Sequence, residues 1–193
     1  MKRKIFRMKH RRGKPTGSAS IRYAKDAARD VTNSEHIKVR KRQIPSSILR
    51  HVESNVGVRF KKRPKLFTYE PTKGHYFKPK KTVGGWDGAS LTGYDIKTGK
   101  IIETIIVLPA SHLKNKKLKD NVITHELAET LVGQHMIEPH KRRRRDAVSN
   151  FEHGFGLAYE KKHCDKHKMS RQQISALAKK LFNENMTKKN GKK

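Results

Sequence analysis

Thr124-His125-Glu126-Leu127-Ala128-Glu129 lies inside a run, Lys117 to Met136, whose apolar residues Leu118, Val122, Leu127, Leu131 and Val132 recur at helical spacing. Gly133 lowers the helix propensity of this run without ending it. Residues four apart share a helical face, so His125 and Glu129 stand one turn apart, with Glu126 beside them. Their face also carries Val122 and Val132, which places them along the apolar stripe. A histidine and a glutamate partly buried among valines need partners to offset desolvation. One metal ion would serve both, and Glu126 could then act as general base on a bound water.

The elements around this helix predict an α+β fold. Upstream, Leu91 to Asp95 and Ile101 to Leu108 flank Lys97-Thr98-Gly99-Lys100, which reads as a β-hairpin. Its second arm is rich in β-branched residues, as a sheet strand should be. Further upstream, Ile44-Pro45-Ser46-Ser47 reads as a serine-capped start of an amphipathic helix ending at Gly57. Short strands are expected at Val58-Arg59-Phe60, at Leu66 to Tyr69 and at Gly74 to Pro79, with a flexible loop from Gly84 to Gly88. Trp86 in that loop reads as a core anchor of the hairpin. Downstream, a helix is expected from Ala147 to about Lys162, and a last one from the capping box Ser170-Arg171-Gln172-Gln173. The division is thus a basic arm over 1–43, an α+β domain over 44–168, and a C-terminal amphipathic helix with a basic tail over 169–193.

A further metal ligand must come from another element, and the Ala147 to Lys162 helix offers Glu152, His153 and Glu160, the last two seven residues apart on one face. Gly156 between them would let that face approach another backbone closely. His153 is the preferred ligand, and Glu160 serves as a fourth ligand or as the partner of a histidine. His135 and His140 are spares. The group His163-Cys164-Asp165-Lys166-His167 reads as a solvated helix end.

Composition points to a second property. Lys and Arg total 47 against 17 Asp and Glu in 193 residues, a formal charge of +30. Such a charge repels itself in the compact state and attracts polyanions, nucleic acid above all. The expected anion-binding residues are Lys2, Arg3, Lys4, Arg11, Arg12, Lys38, Arg40, Lys41 and Arg42 of the arm, which reads as largely disordered apart from a short helix near Ile21 to Asp30. Arg142, Arg143, Arg144 and Arg145 add four rigid bidentate donors suited to phosphate. Cys164 is the only cysteine, which fits a reducing interior. No apolar segment follows the basic N-terminus as a secretory signal would require, and the longest apolar run, Ile105 to Leu108, is far too short to span a bilayer. The expected location is therefore cytoplasmic or inside a virion, with no membrane partner.

The order hairpin, His-Glu helix, ligand-bearing helix resembles the minimal zincin metallopeptidase fold. More narrowly, residues 44 to 162 look like small metallopeptidase-like proteins of phages and other viruses, which carry His-Glu-x-x-Glu followed by His-x6-Glu. The resemblance implies one zinc ion held by His125, Glu129 and His153, with Glu126 as base and a peptide as substrate. Glu129 departs from the usual zincin pattern, which has histidine there. A carboxylate ligand lowers the charge at zinc and makes its bound water less acidic. Two functions therefore stand side by side. One is a zinc-dependent peptidase-like hydrolase. The other is a nucleic-acid-associated, ribonucleoprotein or virion component with an inactive zincin-like core.

Overall fold

The β-branched run Ile101–Pro109 forms a strand, and its alternating side chains divide the molecule into two layers of packing. In the computed structural model, residues 17–77, 88–94, 98, 100–136, 154–159 and 170–186 are described. They form α1 (Gly17–Thr32), β1 (Ile37–Arg42), α2 (Ser46–Val56), β2 (Lys65–Pro71), β3 (Ala89–Tyr94) and β4 (Ile101–Pro109). A 3-10 turn (Ala110–Leu113), α3 (Lys116–Met136), helical residues 154–159 (α4) and α5 (Arg171–Met186) follow. The fold is α+β. No helix among the described residues is long and apolar enough to cross a membrane.

The four strands lie in the order β1-β2-β4-β3. The outer pairs are antiparallel, whereas β2 and β4 run parallel with Leu66 opposite Ile106 and Phe67 opposite Val107. Side chains alternate across a strand, so Ile105 and Val107 join Phe67, Tyr69 and the α1 residues Ala24, Ala27 and Ala28 on one face. Ile106 and Leu108 join Leu66, α2 and α3 on the other. Helix α5 spans both layers, with Ile174 and Ala178 in the α3 cluster and Phe182 in the α1 cluster. Each large apolar side chain buried this way contributes roughly 1.5–3 kcal/mol relative to exposure.

The hairpin, the Leu66–Tyr69 strand and the long helix form as their sequences predict. The capping box also forms: the Gln173 amide N–H donates to Ser170 Oγ at 3.2 Å, and the Ser170 N–H donates to Gln173 Oε1 at 2.7 Å. Gly57 closes α2 at φ 81, with its N–H on the Glu53 carbonyl. The α2 N-cap is Pro45, with no side-chain cap bond, rather than a serine.

Residues 17–42 are not a disordered arm. They form α1 and β1, and β1 adds to the sheet beside β2. The reason is a seam of small side chains, since Ala24, Ala27 and Ala28 let α1 lie close on Phe67 and Val107. Buried Glu103 of β4 fastens that helix further, accepting from Ser20 Oγ and from Lys65 Nζ. Residues 58–60 form no strand; the Phe60 N–H instead donates to Glu53 Oε1 at 3.0 Å. Of the expected strand at 74–79, only Phe77 makes a bridge, and residues 78 and 79 lie outside the described set. Residues 1–16, Trp86 and the His163–His167 group also lie outside it.

Candidate metal centre

Helix α3 is buried on every side from Asn121 to Gln134. A helix enclosed all round normally carries apolar residues throughout, yet this one holds Asn121, Thr124, His125, Glu126, Glu129, Thr130 and Gln134. The sheet accounts for part of that polarity. Gln134 donates from Nε2 to the Lys62 carbonyl at 2.8 Å and to Thr104 Oγ1 at 2.9 Å, and its Oε1 accepts from the Lys62 N–H at 3.0 Å. One side chain thereby joins α3 to β4 and to the segment that follows α2.

The remaining polar residues centre on the motif. One ligand atom each from His125, Glu126 and Glu129 lies within 4.8 Å of the others. His125 Nε2 stands 2.9 Å from Glu129 Oε1, an ion pair only when the imidazole is protonated. The Glu129 side chain is fully buried and that of His125 is 11% exposed, so the cluster opens outward on the histidine side. Grouped at this distance, an imidazole and two carboxylates have a donor set and spacing able to hold a metal ion.

Two glycines bring backbone onto the carboxylates. A Cβ on Gly156 of α4 would stand 3.2 Å from Glu129 Oε1 and 3.3 Å from its carboxyl carbon, and nearer still to Cγ. A Cβ on Gly88, just before β3, would stand 3.0 Å from Glu126 Oε1 and 2.8 Å from Leu108 Cδ2. Only glycine fits either place without displacing the carboxylates. Helix α4 is held from α2, where Asn55 Nδ2 donates to Tyr159 Oη at 3.0 Å and Tyr159 Oη donates to the His51 carbonyl at 3.3 Å. Burial pushes the Tyr159 phenol above its ordinary range, against a smaller opposite effect from Asn55.

The structure thus brings His125, Glu126 and Glu129 together, and Gly156 lies close to the Glu129 side chain, where the sequence suggests approach to another backbone. His153 and Glu160 lie outside the described residues, as do His140, Lys2, Arg3, Lys4, Arg11, Arg12 and Arg142 to Arg145. His135 is excluded from the cluster, because it is exposed and its Nε2 pairs with the Arg59 carbonyl at 2.8 Å. Lys38, Arg40, Lys41 and Arg42 sit exposed on β1. Gly88 falls in the expected loop from Gly84 to Gly88; its closeness to Glu126 follows from packing that a lone glycine before a strand only hints at. His112, in the turn before α3, is a separate buried histidine. Desolvation lowers its pKa to about 4, against a smaller opposite effect from a hydrogen bond to the Ala178 backbone.

A surface depression of about 350 Å³ is lined by Arg50, Glu53, Ser54, Gly57, Val58 and Arg59, none of which belongs to the cluster. No family model matches the chain, and neither a curated protein nor a solved structure matches it.

Proposed function

We propose that this protein is a zincin-like metal-dependent hydrolase acting on peptide bonds. His125 and Glu129 are the ligands from α3, His153 is the third, and Glu160 is a fourth or the partner of a ligand histidine. The observation that carries the reading is the buried convergence of one imidazole and two carboxylates from a single helix. Desolvated carboxylates this close together repel, and a divalent cation offsets both the repulsion and the lost hydration. Gly156 supports the choice of further ligands, since it stands three residues after His153 and four before Glu160 in the chain and packs on Glu129.

Zinc held there would supply a Lewis acid that lowers the pKa of a water and polarises a substrate carbonyl. Glu126 takes the proton from the attacking water and passes it to the leaving amine. Glycine at 88 leaves space for the Glu126 carboxylate that any larger side chain there would crowd. The test is Glu126→Gln. Zinc content should be unchanged while cleavage of an unstructured protein such as casein disappears. Cleavage that persists in Glu126→Gln would remove Glu126 from the reaction.

A further inference from the structure

We propose that a folded ridge of cations on the β1 edge of the sheet binds the phosphate backbone of duplex nucleic acid, at a place separate from the metal cluster. This goes beyond the hydrolase reading and does not depend on it. From His36 to Tyr69 the chain holds ten Lys or Arg residues and one acid, Glu53. The fold gathers these cations from two segments. Along β1, Lys38, Arg40 and Arg42 alternate onto the face opposite Val39, and all three are exposed. Arg40 is paired with Glu70 of the neighbouring strand at 3.2 Å, which leaves Lys38 and Arg42 as the stronger anion contacts of that strand. After α2, residues 57–63 run back along the helix, and Arg59, Lys61, Lys62 and Arg63 are exposed there.

Hydrogen bonds fix this return path. The Phe60 N–H is held by Glu53 within α2, and Arg63 Nη2 reaches Ser46 Oγ at the helix start at 3.4 Å. Ser46 follows Arg42 by four residues, so the loop ends where β1 ends. Two basic segments far apart in sequence therefore become one surface. The Glu53 carboxylate is turned to the loop backbone rather than to a cation of the ridge.

Edge strands often carry a few charges that discourage pairing with another chain. One or two suffice for that, and it explains nothing about residues 59–63, which form no strand. Gathering like charges destabilises the compact state unless a polyanion lies against them. Phe60, the aromatic of that loop, is half-buried against the core rather than displayed for stacking on single-stranded bases. The chemistry left is contact with phosphates, independent of sequence.

Sheet order sets the strand half of the ridge apart from the cluster: β1 forms one edge and β3 the other, and a Cβ on Gly88, just before β3, would meet Glu126. The loop half meets α3 at Gln134 and His135, beyond Glu129 in the chain.

The experiment uses the full chain, a mixed-sequence DNA duplex and fluorescence anisotropy at salt concentrations from about 50 to 200 mM. Neutralising Lys38, Arg42, Lys61 and Arg63 to Gln should make the slope of log affinity on log salt shallower by roughly three to four units, about 0.9 for each phosphate no longer neutralised. Replacing Arg42 and Arg63 by Lys keeps the charge and should keep the slope, which a purely structural role for these arginines would not. Replacing Lys179 and Lys180, exposed cations of α5 outside the ridge, by Gln should leave the slope unchanged. An unchanged slope in the four-residue variant would overturn the proposal, and so would loss of binding on removing residues 1–16 alone. Binding to anionic lipid vesicles without binding to duplex would overturn it as well. A slope that falls equally in the Lys179 and Lys180 variant would make the binding a property of net charge alone and end the claim of a ridge.

Discussion

Replacing Gly156 by Ala tests the closeness of α4 to the site carboxylate, and Gly154→Ala in the same helical stretch is its control. The added Cβ at 156 would meet Glu129 Oε1 at 3.2 Å and its carboxyl carbon at 3.3 Å, with Cγ closer still. Non-bonded carbons settle at about 3.5–4.0 Å, so the contact is repulsive at several atoms together. Glu129 is fully buried on a helix enclosed on every side, and Tyr159 ties α4 to α2, so neither side yields freely. Overpacking of this kind costs about 1–3 kcal/mol, and the better helix propensity of Ala returns at most about 1 kcal/mol. The net expectation is a loss of about 2 kcal/mol, or roughly 4–8 °C in Tm for a chain of this length. At Gly154 a Cβ meets nothing within 4 Å, so Ala there should be neutral or raise stability by up to about 1 kcal/mol. Thermal unfolding followed by circular dichroism reads both. Equal stability of the two variants would refute the close approach of α4 to Glu129.

Two further outcomes follow from buried polar groups. The His112 pKa is lowered to about 4 in the fold from 6.5, so the unfolded chain binds its proton first as pH falls. Stability from this residue is complete above pH 6.5 and is lost progressively towards pH 4, by up to about 3 kcal/mol in all. Urea unfolding between those limits should show a shallower pH dependence in His112→Asn, and an identical dependence would show that His112 is not the buried neutral group. Gln134→Ala removes three hydrogen bonds and leaves both backbone groups of Lys62 without that partner. It should cost about 3 kcal/mol and speed hydrogen exchange at Lys62; a loss under about 1 kcal/mol would mean that the 57–63 segment is held by other interactions.

The site helix and the hairpin were legible because their signals are local. Leu118, Val122, Leu127 and Leu131 keep helical spacing, and Ile101 to Leu108 keep β-branched character over a full strand. The capping box at Ser170 is a four-residue pattern that forms as it reads. The first helix was legible only as a short stretch near Ile21 to Asp30, and the first strand was hidden by its composition. The seam of α1 is made of alanines, which add little to any hydrophobic count, and β1 contributes only Ile37 and Val39 amid four cations. Parallel pairing of β2 with β4 joins residues about forty apart, and no local pattern encodes it. The sequence placed His125 and Glu129 on the apolar stripe of α3, but enclosure of the whole helix depends on distant partners: β4, α4 and the segment after α2 meet its other polar residues. The motif named the cluster, and only packing located Gly88 against it.

Whether the cluster on α3 holds a metal ion is decided most directly by metal content. Purified protein dialysed against zinc and then against metal-free buffer should retain about one zinc per chain by mass spectrometry of the elements. His125→Ala and Glu129→Ala should each lose that zinc, and the metal-loaded protein should unfold at a higher temperature than the chelator-treated one, because a ligand bound only to the folded state stabilises it. A protein that binds no zinc, or binds it equally in both variants, would contradict the metal centre and leave His125 and Glu129 as a buried polar pair.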